Sequence, residues 1–306
     1  MGFRLDFLAG HLSENMAYGH QANFARYCGL DTGKLRIYGR YQHGFAVYPY
    51  FPDSRIRGFV WSNEMKMMCE SDGLRDIWSI GSPIIYWQDQ LKLEVKSTNI
   101  EEYSLCIAPH SNFDTQQTVF ETDEYRMFFP NFKGSDALHH FANLCLSNSS
   151  FDPTVLLYFT DFKENVVKRF ASYGIKVLTL GDGIYDLNAV ETYFGRKMGL
   201  LRDASEVLIS DTNSIWAYAG YLGKPIKVFD ESNFNNSISR LKSIFGDYEL
   251  CDPELFYRIN GLSDLKTPEE LVEIFGSNDL RNVLRNQLNF VYESARRAVA
   301  FKRFYA

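Results

Sequence analysis

The sequence predicts an α/β protein of two Rossmann-like domains facing each other across a cleft, followed by a long C-terminal helix. Three observations carry this expectation. From Thr154 to Asp230, short β-branched runs alternate with amphipathic segments, as parallel strands do when crossover helices return the chain to the same edge. The first half has the same character less regularly. The last stretch, Asp279 to Phe304, places Leu280, Leu284, Leu288, Val291 and Ala295 on one stripe, the spacing of a helix with one buried face.

In chain order, Phe3 to Leu8 reads as a strand, Met16 to Cys28 as a helix, Lys34 to Tyr38 and Gly58 to Trp61 as strands, and Asn63 to Glu70 as a helix. Tyr103 to Ala108 is a strand ending at Pro109, and Ser135 to Leu146 is a helix. The small polar cluster Ser147-Asn148-Ser149-Ser150 then suggests a boundary. In the second half, Val155 to Phe159 is an apolar strand. Lys163 to Tyr173 follows as a helix with Val166, Val167, Phe170 and Ala171 on one side. Lys176 to Leu180, Glu206 to Ser210 and Pro225 to Phe229 are further strands, with helices over Leu187 to Met198 and Ser214 to Leu222 between them. The expected domains are 1–148, 149–275, and a terminal helix over 276–306.

The 306 residues amount to about two average domains. Hydrophobic residues at 45% and aromatics at 16% exclude disorder for most of the chain. A formal charge of −6 argues against a protein that coats nucleic acid. Cys28, Cys69, Cys106, Cys145 and Cys251 are scattered without a Cys-x-x-Cys pair, which fits a reducing cytoplasm better than a zinc or dithiol site. No run approaches the roughly 18 apolar residues of a membrane span. Near the C-terminus, Arg296, Arg297, Lys302 and Arg303 alternate with Phe301, Phe304 and Tyr305. This tail either packs back onto the domains with the preceding apolar stripe or makes weak peripheral contact at the inner face of a membrane.

Chemistry concentrates where strands end. After the strand closing at Ser210 come Asp211, Thr212, Asn213 and Ser214, and a helix then runs to Gly223 with Pro225 beyond. Unpaired N–H groups at that helix start, with the Thr212 and Ser214 hydroxyls, suit a phosphate. Asp211 either caps the helix or approaches a sugar hydroxyl.

A strand, a Ser/Thr-rich turn and a helix closing on Leu222-Gly223-Lys224-Pro225 resemble the donor-binding part of GT-B-fold nucleotide-sugar glycosyltransferases of bacterial capsule and lipopolysaccharide synthesis. The chain is especially similar to the Kdo and sialic acid transferases that use CMP-linked sugars. Gln42-His43-Gly44, Ile80-Gly81-Ser82-Pro83-Ile84-Ile85-Tyr86 and Ala108-Pro109-His110-Ser111 extend the resemblance over most of the chain up to Asp230. By this resemblance His110 contacts the donor phosphate or supports the departing nucleotide, with Ser111 beside it. The order Pro109-His110-Ser111, where sialyltransferases have His-Pro, argues against a sialic acid donor.

A general base must reach within about 3 Å of the acceptor hydroxyl. His11, Glu14 and His43 are the candidates, with Asp6 behind them. Asp182 and Gly183, after the strand closing at Leu180, are candidates for nucleotide contact or simply a turn, and Thr160-Asp161 has the same two readings. His139 and His140 are adjacent and point apart on a helix, and no Asp-x-Asp motif occurs, so no metal and no cofactor is expected beyond the nucleotide-sugar substrate. The function implied is an inverting, metal-independent transfer from a CMP-linked acidic sugar or UDP-sugar to a bacterial glycan or glycolipid acceptor. The alternatives are a nucleotide-sugar epimerase, a polyol-phosphate transferase, or a non-catalytic glycan-assembly subunit.

Overall fold

The structure is a computed structural model describing residues 20–30, 40–42, 57–91, 102–109, 117–181, 187–231, 234, 241–249 and 252–275. These divide into two compact units. The first opens with α1 (His20–Tyr27), β1 (Arg40–Tyr41), β2 (Gly58–Val60), α2 (Asn63–Ser71), β3 (Ile77–Ser79) and α3 (Pro83–Leu91). The three strands are parallel in the order β1-β2-β3. Phe24 of α1 is fully buried between Tyr41 and Tyr86, with ring centroids 5.3 and 5.0 Å away. Ser62 starts α2 by accepting the Met65 N–H at 3.4 Å, and the helix buries Met65 and Cys69.

The second unit runs through β4 (Tyr103–Ile107), a helical turn (Val119–Glu121), α4 (Tyr125–Phe128), α5 (Ala137–Asn148), β5 (Asp152–Leu157), α6 (Glu164–Ser172) and β6 (Lys176–Thr179). It continues through α7 (Leu187–Asp203), β7 (Glu206–Ile209), α8 (Ser214–Tyr221), β8 (Ile226–Val228) and α9 (Pro253–Ile259). The strands form one parallel sheet in the order β6-β5-β4-β7-β8. Asp136 caps α5 by accepting the His139 N–H at 3.0 Å, and its two oxygens take Arg169 of α6 at 2.8 and 2.6 Å. That double contact ties the two helices together.

After α9 the chain returns to the first unit with a turn at Gly261 and ends, among described residues, in α10 (Pro268–Phe275). Gly261 is required there. Its φ is +68°, and a Cβ at this position would stand 1.8 Å from the Trp61 carbonyl oxygen.

The α/β expectation is met, and most strands and helices from Gly58 onward lie where the pattern places them. Three differences have physical reasons. The boundary expected near 148 falls inside the second unit, because Tyr103–Ile107 is the central strand of the five-stranded sheet, hydrogen-bonded to β5 and β7. The segment 261–275 belongs to the first unit rather than to a domain 149–275. The strand Ile77–Ser79 and the helix Pro83–Leu91 were not expected, since three residues alternating in burial leave no periodic signal. The expected strands Phe3 to Leu8 and Lys34 to Tyr38 and the helix of 276–306 lie outside the described residues.

Candidate functional site

Numbered by chain order, the five-stranded sheet reads 3-2-1-4-5, so the winding direction reverses between β4 and β7. Open parallel sheets bind ligands outside the carboxyl ends of the strands at such a reversal. The register pairs Cys106 with Leu208. The two chain segments leaving this point are therefore Ala108-Pro109 after β4 and Ser210-Asp211-Thr212-Asn213 after β7. Topology brings together two motifs that are far apart in sequence.

The turn into α8 has a specific wiring. Asn213, in an extended backbone conformation, accepts the Ile215 and Trp216 N–H groups at 2.9 and 3.1 Å. Its side-chain amide donates to Asp211 at 2.9 Å. Asp211 therefore steadies the cap and is not itself the cap, which corrects the first of its two expected roles. Thr212 is buried and Ser214 half-buried, and among the described residues neither hydroxyl makes a hydrogen bond. With the positive end of the helix dipole behind them, these hydroxyls form a short polar lip suited to an anion.

The helix behind this lip is held from the far side. Trp216 packs edge-on against Phe256 of α9 at 5.1 Å, and Asn260 donates to the Ala217 carbonyl at 3.0 Å. Gly220 leaves room for Phe256, since a Cβ there would come within 2.2 Å of the ring. The position of the α8 start is thus set by packing well away from it.

At the next strand end, Asp161 is fully buried and accepts the Val119 N–H at 2.8 Å. It fastens the segment that follows β4 to the end of β5, which is a structural role. Gly181 follows β6 with φ +84° and donates its N–H to the Thr179 hydroxyl at 3.2 Å. The remaining predicted residues, Asp182, Gly183, His110, Ser111, His43, His11 and Glu14, lie outside the described residues.

In the first unit, the corresponding strand ends are filled by the chain itself. The Gln42 side chain accepts the Trp61 N–H at 2.9 Å, and the Tyr41 hydroxyl donates to the Gly81 carbonyl at 2.9 Å. Asp264 accepts the Asn63 N–H at 2.9 Å and the Ser79 hydroxyl at 3.1 Å, so a carboxylate of the returning segment occupies the start of α2. Gln42 and the segment from Ile80 to Tyr86 are internal wiring here.

One group near the second unit's site was missed in the sequence. Lys197 of α7 is 8% exposed. Its ammonium lies over the rings of Tyr193 and Tyr218, at 5.3 and 5.8 Å from their centroids. Burial pulls its pKa down to about 8. The signal was available. Tyr193, Phe194, Lys197, Met198 and Leu201 form one helical stripe, and its other four members are buried apolar or aromatic side chains.

Among the described residues no group of three or more His, Cys, Asp or Glu side chains is placed to hold a metal ion, and no helix is long and apolar enough to cross a membrane. The chain matches no family model, no curated protein and no solved structure.

Proposed function

We propose that the chain is an inverting, metal-independent glycosyltransferase of GT-B-like arrangement, with the second unit binding the nucleotide-sugar and the first serving the acceptor. The observation that carries this reading is the meeting of the β4 and β7 exits at the reversal point of a 3-2-1-4-5 parallel sheet. One exit holds the lip Asp211 to Ser214, and the other leads through Pro109 into His110. The unengaged Thr212 and Ser214 hydroxyls and the α8 dipole suit the donor phosphate. In this reading His110 stabilises charge developing on the departing nucleotide.

The test is a thermal-shift series with CMP, CDP, UDP and GDP, followed by calorimetry. A nucleotide at a hundred times its Kd stabilises the native state by about 2.7 kcal/mol, which is readily visible as a rise in Tm. One of the four is expected to shift the transition. Replacing Thr212 and Ser214 together with Ala should weaken that nucleotide tenfold or more without loss of folding. If none of the four raises Tm, or the double variant binds as tightly as the wild type, the assignment of the donor site fails.

A further inference from the structure

We propose that Lys197, with Tyr193 and Tyr218, forms a binding site for a phosphate-class oxyanion between α7 and α8. That this anion is the donor's phosphate rests on the reading above; the site itself rests on the geometry of the three side chains.

A buried ammonium is costly unless it meets a counter-charge or hydrogen-bond acceptors. Among the described residues Lys197 meets neither, and two tyrosine faces are its only polar company. Those faces offer a weak, diffuse attraction and leave the ammonium's three donors unused. Every other buried member of its stripe is an apolar or aromatic side chain, so methionine would fill the same volume without the charge. An anion arriving from outside supplies what the described residues withhold.

The direction of approach follows from helix geometry. α7 begins beyond the carboxyl end of β6 and runs back toward the start of β7. Helical side chains lean toward the helix N-terminus, so Lys197 leans toward the carboxyl edge of the sheet. Its contact with Tyr193, one turn nearer that edge, agrees. Tyr218 stands on α8 about one turn below the lip of Thr212 and Ser214. The ammonium is therefore aimed at the same edge as the unengaged hydroxyls, where it adds a full positive charge to the partial charge of the helix start.

The test compares wild type with Lys197→Met, using inorganic pyrophosphate, CMP and UDP as probes in calorimetry. Pyrophosphate is expected to bind the wild type and to bind Lys197→Met at least tenfold more weakly. Tm of the variant should be unchanged or higher, because a purely structural lysine would leave the variant less stable. Pyrophosphate binding that is equal in both chains, or absent from the wild type, overturns the anion site. If pyrophosphate and a nucleotide both bind the two chains equally, the anion site falls and the donor reading stands. If pyrophosphate binding depends on Lys197 while neither nucleotide binds the wild type, the site stands and the donor reading falls. Should Lys197→Met fail to fold, the wild type labelled with 13C-lysine decides. The Lys197 Cε resonance, assigned by its absence from Lys197→Arg, must move on addition of pyrophosphate, and a stationary resonance overturns the proposal.

Discussion

Asn213 and Lys197 show two ways in which one residue shapes this site. Asn213 satisfies two of the orphan N–H groups of α8 and is held by Asp211 in turn. Replacing it with Ala should cost about 1 kcal/mol, the usual worth of such a cap. For a chain of this size that is a fall in Tm of roughly 2–4 °C by calorimetry. No change would mean that the Ile215 and Trp216 N–H groups are equally well satisfied without it. Lys197 gives a prediction with a sign. Its pKa is about 8 when folded, against the ordinary 10.5. Between those values the unfolded chain holds a proton that the folded chain has released, so raising pH favours folding. The stability of the wild type relative to Lys197→Met should be flat below about pH 8. It should then rise by about 3 kcal/mol by pH 10.5, as a shift of this size implies at 1.36 kcal/mol per unit. Urea titrations of both chains across that range check it, and a falling difference would contradict the assignment.

At the scale of elements, α8 is the piece that everything else positions. Its buried Trp216, Ala217, Tyr218 and Ala219 leave no solvent-facing polar stripe, so it must be covered on several sides, and α9 supplies one cover. Gly220→Ala would drive a methyl into the Phe256 ring, an overpacking that costs typically about 1–3 kcal/mol. Tm should fall accordingly, and adding Phe256→Leu should restore part of the loss. If the double variant is no more stable than Gly220→Ala alone, the ring is not the obstacle. The strands and helices after Thr154 were legible because their residues are buried in runs; all four positions of β7 are buried. β3 was not, being three residues with one face open. Lys197 is not legible in the sequence by residue type, because a lysine in a helix ordinarily marks the wet side; the burial of its stripe neighbours shows otherwise.

At the scale of the whole chain, the polar run Ser147 to Ser150 looked like a linker and is instead wiring at the amino edge of the sheet. The Ser150 N–H donates to Glu206 at 2.6 Å, and Lys227 donates to the Ser150 hydroxyl at 2.6 Å and pairs with Glu206 at 2.9 Å. Partners so distant in sequence leave no local trace, so in the sequence this polar cluster has the composition of a boundary. The same non-locality closes the first unit, whose residues on either side of the second unit must meet. Leu271, Ile274 and Phe275 of α10 are buried, and Phe275 meets Phe24 and Phe59 edge-on at 5.2 and 5.1 Å. Three such side chains contribute about 5–9 kcal/mol by burial alone, comparable to the roughly 5–15 kcal/mol net stability of a whole domain. The first unit should therefore not survive their loss, whereas every strand of the five-stranded sheet lies before the return. A chain truncated after Asn260 is expected to lose hydrogen-exchange protection at the Ile80 and Gly81 amides, which donate to Val60 and Trp61 at 3.0 and 2.9 Å. It should keep protection at Phe229, whose amide donates to Ile209 at 2.8 Å. Loss of protection at both places would mean that the second unit also depends on the returning segment, and retention at both would mean that α10 contributes far less than its burial implies.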